Sequence, residues 1–183
     1  MTRRSLQTGA MALTLSALAG MAEADTAFDH RFTALTGGEI SMADFAGKAV
    51  LVVNTASMCG YTYQYQGLQD LADRYGARGL VVLGVPSDDF RQEFNSADEV
   101  KDFCEVNFSI TFPMTDIEHV TGEDAHPFYR WAAVEGGAPA VPRWNFHKLL
   151  IAPDGSLAAS FPTRTKPEDP EVAARIEAVL PGS

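Results

Sequence analysis

Only two cysteines, Cys59 and Cys104, occur in 183 residues. Two thiols allow a single pairing, which excludes a scaffold held together by several disulfides. Cys59-Gly60-Tyr61-Thr62 also lacks the second thiol of the C-x-x-C dithiol that disulfide oxidoreductases use. The four histidines, His30, His119, His126 and His147, have no metal-ligand spacing and read as surface or core residues. Gly136-Gly137 precedes no helical pattern, so no phosphate-cradling loop is present. Neither a metal nor a cofactor is expected. Positive charge is scarce too, with 14 Lys and Arg against 24 Asp and Glu, a net −10. That balance excludes a nucleic-acid or anionic-membrane surface. Repeats, low-complexity tracts and linkers are absent, and the length suits one domain with a proper core. Such a domain folds without a staple, which favours a redox role for the cysteine pair.

One apolar stretch stands apart from this composition. Arg3 and Arg4 precede Gly9 to Ala22 (GAMALTLSALAGMA), and Ala22-Glu23-Ala24 has the small-x-small form of a cleavage site. This three-part pattern predicts a signal peptide over residues 1–24, cleaved after Ala24, and leaves residues 25–183 as a single domain. The arginine pair also resembles a twin-arginine signal. The expectation is an exported protein, periplasmic if the source is bacterial, with no membrane attachment after cleavage.

The organising stretch is Ala49 to Thr62, AVLVVNTASMCGYT. Ala49 to Val53 is too short for a helix and rich in β-branched residues, so it reads as a buried strand. It turns small and polar through Asn54 to Ser57 and reaches Cys59. Leu68, Leu71, Ala72 and Tyr75 then fall on one face of an amphipathic helix. A buried strand therefore delivers a cysteine to the turn before a helix. Free N–H groups and the helix dipole gather there, a setting that favours a reactive thiolate.

Leu80 to Val85 (LVVLGV) is a second buried strand, ending at Pro86. Strand, helix and strand make a βαβ unit with a parallel pair. Ser87 to Asn95 is a polar loop at the carboxyl end of that strand, where open α/β sheets place ligands. Ser96 caps a helix with Glu99 three residues on, and Val100, Phe103 and Cys104 lie on its apolar face. Gly122-Glu123-Asp124 begins a helix carrying Phe128, Trp131 and Ala132. Trp144 to Ile151 reads as a strand, Pro153-Asp154-Gly155 as a hairpin turn and Ser156 to Phe161 as its partner. Glu168 to Leu180 is a final helix. A βαβ half followed by a ββα half is the thioredoxin-like α/β plan, a central mixed β-sheet flanked by helices.

What remains for chemistry is one activated thiolate at a strand–helix turn, suited to attack on an electrophilic oxygen or sulfur. Asn54-Thr55-Ala56-Ser57-Met58-Cys59-Gly60-Tyr61-Thr62 resembles the active-site segment of glutathione peroxidases in their cysteine form. So do Gly79 to Pro86, Thr111-Phe112-Pro113-Met114 and Trp144-Asn145-Phe146-His147-Lys148, followed in the family's order by Asp154-Gly155 and Thr165 to Asp169. The resemblance runs from Phe28 to the last helix.

The resemblance implies a thiol peroxidase that reduces hydrogen peroxide and organic hydroperoxides in response to oxidative stress. Cys59 would be the peroxidatic residue, oxidised to a sulfenic acid that is resolved as a disulfide or mixed disulfide. Trp144 and Asn145 match the family's pair of donors beside the sulfur. The loop after the second strand departs from the pattern: aligning Pro86 and Phe90 puts Asp89 where the family has glutamine, and the loop is one residue short between Phe90 and Gln92. A carboxylate beside Cys59 would raise the thiol pKa. Asp89 then points away, or is protonated, or Gln92 substitutes, or the enzyme is slower. If Asp89 impedes the thiol, Asp89→Gln speeds the reaction. Cys104 is the candidate resolving thiol, because many non-animal members use a cysteine on a helix in this region and are reduced by thioredoxin. Its place on an apolar face is equally that of a buried structural cysteine. Ser87 occupies the site of another family cysteine. The short Gly136 to Pro142 loop implies a monomer or weak dimer, and a thioredoxin-like reductant is favoured over glutathione. Two other readings stand beside the peroxidase: a redox sensor or relay, and a catalytically weakened thioredoxin-fold binding domain.

Overall fold

The computed structural model describes residues 25–182; the expected signal peptide, residues 1–24, lies outside the described residues. Strand β3 (Ala49–Thr55) is buried along its whole length and occupies the middle of the sheet. It pairs in parallel with β4 (Leu80–Pro86), Ala49 opposite Leu80 through Thr55 opposite Pro86. Helix α1 (Gln64–Tyr75) makes the crossover between them. On the other side β3 pairs antiparallel with β5 (Lys148–Ile151), and β6 (Leu157–Phe161) completes the order β4-β3-β5-β6. The mixed sheet and its flanking helices are the thioredoxin-like plan.

Alternation along β3 divides the core in two. Leu51 and Val53 pack with Leu68 and Tyr75 of α1, Val100 of α2 (Ala97–Phe108) and Ile176 of α4 (Pro170–Val179). Val50 and Val52 face the opposite side, against Phe128 and Ala132 of α3 (Pro127–Gly136). A separate hairpin of β1 (Arg31–Thr33) and β2 (Glu39–Ser41) covers this second face through Phe32. The cap of α2 is as expected, with Ser96 Oγ accepting from the Glu99 N–H at 3.3 Å.

Three boundaries differ from expectation, each for a local reason. Helix α3 starts at Pro127 rather than near Gly122, because Gly122 adopts a φ of +79° and Pro127 suits the first helical position. His126 caps it, its Nδ1 accepting from Phe128 N–H at 3.2 Å. Helix α4 likewise begins at Pro170, two residues after Glu168. Strand β5 begins at Lys148, because Phe146 at φ +62° turns the Trp144 to His147 segment out of the ladder. That last departure positions the site.

Candidate active site

Cys59 lies in the tight turn between β3 and α1, its carbonyl accepting from Thr62 N–H at 3.2 Å and Tyr61's from Gln64 N–H at 2.9 Å. The residue is buried and its thiol is free, while Met58 and Tyr63 beside it are 55% and 51% exposed. The turn is clasped from the loop after β4. Met58 N–H donates to the Gln92 carbonyl at 2.8 Å, and Ser57 N–H donates to Glu93 Oε1 at 2.9 Å. The same Glu93 oxygen accepts from Phe94 N–H at 2.9 Å. Burial raises the Glu93 carboxyl pKa.

A second clasp comes from the end of β3. Asn54 Nδ2 donates to the Trp144 carbonyl at 3.2 Å, and Asn54 Oδ1 accepts from His147 N–H at 3.1 Å. Its backbone carbonyl accepts from Phe146 N–H at 2.6 Å. One buried asparagine thus fixes the Trp144 to His147 turn against the end of β3, the strand that leads to Cys59. Lys148, fully buried, donates its three ammonium hydrogens to Phe146 O at 2.7 Å, Gln64 Oε1 at 2.7 Å and Thr165 O at 2.8 Å. Burial lowers its pKa to about 7. Within the turn, Trp144 is 41% exposed and packs on Phe90, ring centroids 5.4 Å apart. Asn145 is fully buried, and its Nδ2 donates to Gln92 Oε1 at 3.1 Å.

Gln92, and not Asp89, is therefore the side chain that meets Asn145. The shortened loop closes through Arg91 at φ +58°, whose N–H donates to Asp88 O at 2.8 Å. The turn leaves Asp89 facing away. Its carboxylate binds His119 Nδ1 at 2.6 Å and accepts from the N–H groups of Val120 at 2.7 Å and Thr121 at 2.9 Å. The premise that its charge burdens Cys59 is corrected by this geometry, and the rate gain expected of Asp89→Gln loses its basis. Asp89 raises the His119 pKa above 6.5, chiefly through that hydrogen bond. The clasp's contribution is full below the unfolded histidine's pKa and is lost as pH rises through the higher folded value. An NMR titration should place the His119 midpoint above 6.5, and Asp89→Asn should bring it down towards about 6.5. A midpoint unmoved by the substitution would contradict the pairing.

Cys104 lies inside α2, 2% exposed and free, with the Tyr65 hydroxyl beside it. Burial pushes its thiol up to about 11, so in this conformation it is a poor nucleophile. It shares an apolar cluster with Cys59, and no disulfide joins them. Ser87 is buried and accepts from Asp89 N–H at 3.3 Å. Among the described residues no group of three His, Cys, Asp or Glu side chains could hold a metal ion. Asn54 and Lys148 fall inside two of the family-like segments but carried no role there, and Glu93, in the polar loop after β4, escaped the reading altogether.

The family model described as "Glutathione peroxidase" matches residues 27–133. A hydroperoxy fatty acid reductase of Synechocystis sp. is 39% identical over 165 residues, covering 85% of this chain and 96% of the relative. A glutathione peroxidase of Lactococcus lactis is 39% identical over 79% of this chain and 94% of its own length. The crystal structure of Trgpx in apo form superposes with a TM-score of 0.69 at 31% identity, over 85% of this chain and 96% of that one. A thioredoxin family protein from Chlorobium tepidum shares the fold alone, with a TM-score of 0.62 at 16% identity over 82% of this chain and 92% of that one. With the motifs in order and the fold in place, the chain belongs to the glutathione peroxidase family and is a thiol peroxidase that reduces hydroperoxides.

Proposed function

We propose that Cys59 is the peroxidatic residue and that Trp144, Asn145 and Gln92 assist it. The supporting observation is the convergence of three segments on the Cys59 turn: Gln92 O on Met58 N–H, Gln92 Oε1 on Asn145 Nδ2, and Asn54 on the Trp144 carbonyl. The thiolate attacks the terminal oxygen of the hydroperoxide; an S–O bond forms as the O–O bond breaks. The electron pair leaves on the second oxygen, which takes a proton and departs as water or an alcohol. The indole N–H and the carboxamide N–H groups stabilise charge developing on the leaving oxygen. The sulfenic acid then condenses with a thiol, releasing water, and a second thiol releases Cys59 by disulfide exchange.

Cys104 is the resolving thiol in this reading, which requires the turn of α2 around it to open. A thioredoxin-like dithiol then reduces the disulfide. The substrates are hydrogen peroxide and organic hydroperoxides, fatty-acid hydroperoxides among them, as in the relative named a hydroperoxy fatty acid reductase. The protein works as a monomer or weak dimer, exported and, in a bacterium, periplasmic, in defence against oxidative stress.

Steady-state turnover tests the reductant. Thioredoxin-like dithiol is expected to support turnover at least about tenfold better than glutathione, since intramolecular resolution has the higher effective concentration. Turnover with glutathione alone, unaffected by Cys104→Ser, would instead assign a one-cysteine route. A redox relay would oxidise once and fail to recycle with a generic dithiol.

A further inference from the structure

Behind the Trp144–Asn145 turn lies a cavity of about 560 Å³ that the catalytic account leaves unused. Its lining includes the apolar Ala138, Pro139, Val141 and Pro162 together with two arginines, Arg143 and Arg164. Its volume is that of a ligand site, which typically spans about 300–1,000 Å³. It adjoins the catalytic turn directly: Arg143 precedes Trp144, and Thr163, in the cavity wall, donates its hydroxyl to Asn145 O at 2.8 Å. Both arginines are exposed, and among the described residues neither forms an ion pair with a carboxylate. In a chain of net charge −10, two unpaired guanidinium groups on one apolar cavity mark a place for an anion. His147 adds a second sign of an absent partner. It lines the cavity at 6% exposure, and its Nε2 is buried without a hydrogen bond.

We infer that this cavity binds the carboxylate end of a long-chain fatty acid, Arg143 and Arg164 taking the head group and the apolar lining residues the adjoining methylenes. The inference rests on the hydroperoxide-reductase reading and gives it a substrate subsite. An amphiphile with a single charged end fits a lining that holds two arginines and no carboxylate, whereas glutathione, although its two carboxylates could meet the guanidinium groups, would leave its ammonium unpaired and its amides against proline and valine. A guanidinium pair recognises a carboxylate by paired N–H···O bonds.

The test compares a free-acid hydroperoxide of linoleic acid, its methyl ester and hydrogen peroxide, all below micelle formation, together with direct binding of oleate. The proteins are wild type, the double variant Arg143→Gln/Arg164→Gln and the double variant Arg143→Lys/Arg164→Lys. The wild type should bind oleate and prefer the free acid to the ester by about tenfold in KM, the scale of one lost charged contact. The glutamine variant should lose that preference and the oleate affinity, with hydrogen peroxide turnover unchanged, and the lysine variant should recover part of both. Equal KM values for acid and ester in the wild type would overturn the inference. An equal loss on hydrogen peroxide would also overturn it, since that reports a disturbed Trp144 turn, as would a shift confined to the KM for glutathione. If the wild type reduced no hydroperoxide yet bound oleate through the arginines, the peroxidase reading would fail and the carboxylate site would stand.

Discussion

Cys59→Ser is expected to abolish hydroperoxide reduction, a fall of about 10³-fold or more, because an unactivated hydroxyl is a poor nucleophile at neutral pH. The loss is chemical and not structural. The turn at position 59 is held by backbone bonds, Cys59 O with Thr62 N–H and Met58 N–H with Gln92 O, which serine leaves intact. Serine differs by one atom, and burying its hydroxyl in place of a thiol costs about 1 kcal/mol of stability. An unchanged circular dichroism spectrum with no consumption of hydroperoxide in a steady-state assay is the expected pair of results. Residual turnover near the wild-type rate would move the chemistry to another residue. A weakened binding domain would show a Cys59 no faster with peroxide than a free thiol.

Asn54→Ala is expected to damage both the fold and the rate. The substitution leaves the buried His147 N–H without its partner, at about 1–3 kcal/mol, and the part-buried Trp144 carbonyl without its donor, at about 1 kcal/mol. For a domain of this size a loss of about 2–4 kcal/mol lowers Tm by roughly 5–15 °C. The turn that carries Trp144 and Asn145 then keeps its backbone bonds to residue 54 and its contacts with Thr163, Lys148 and Gln92, but loses both side-chain bonds from the strand. A displacement of about 1 Å in such groups costs on the order of 10²-fold in kcat/KM. Thermal melts and kcat/KM measured well below Tm separate the two effects. A lowered Tm with full kcat/KM would mean that Asn54 braces the fold without positioning the turn.

The parts of the molecule that were legible in its sequence are those governed by local patterning. The run Ala49 to Val53 and the run Leu80 to Val85 can only be buried strands, and their spacing around an amphipathic helix fixes a parallel pair. Both strands are present and pair in parallel. The position of Cys59 between strand and helix follows from the same pattern. What the pattern could not carry were contacts made by side chains across long separations. Nothing adjacent to Asn54 announces that it will hold residues 90 positions away. Lys148, charged at the head of an apolar run, gives no sign that three carbonyl-type oxygens await it. The Asp89 position went astray because counting along a loop presumes that each residue turns alike. A single left-handed residue, Arg91, reassigns Asp89 to His119 and brings Gln92 to Asn145. Helix α3 moved because Gly122 and Pro127 are stronger punctuation than the acidic residues between them.

The most direct test of Cys59 as the peroxidatic residue is intact-mass analysis of the reduced protein after one equivalent of hydroperoxide, with Cys59→Ser and Cys104→Ser alongside. The account predicts that the wild type loses two hydrogens, that Cys104→Ser gains one oxygen, and that Cys59→Ser stays at its starting mass. Oxidation of Cys59→Ser as fast as the wild type would contradict it.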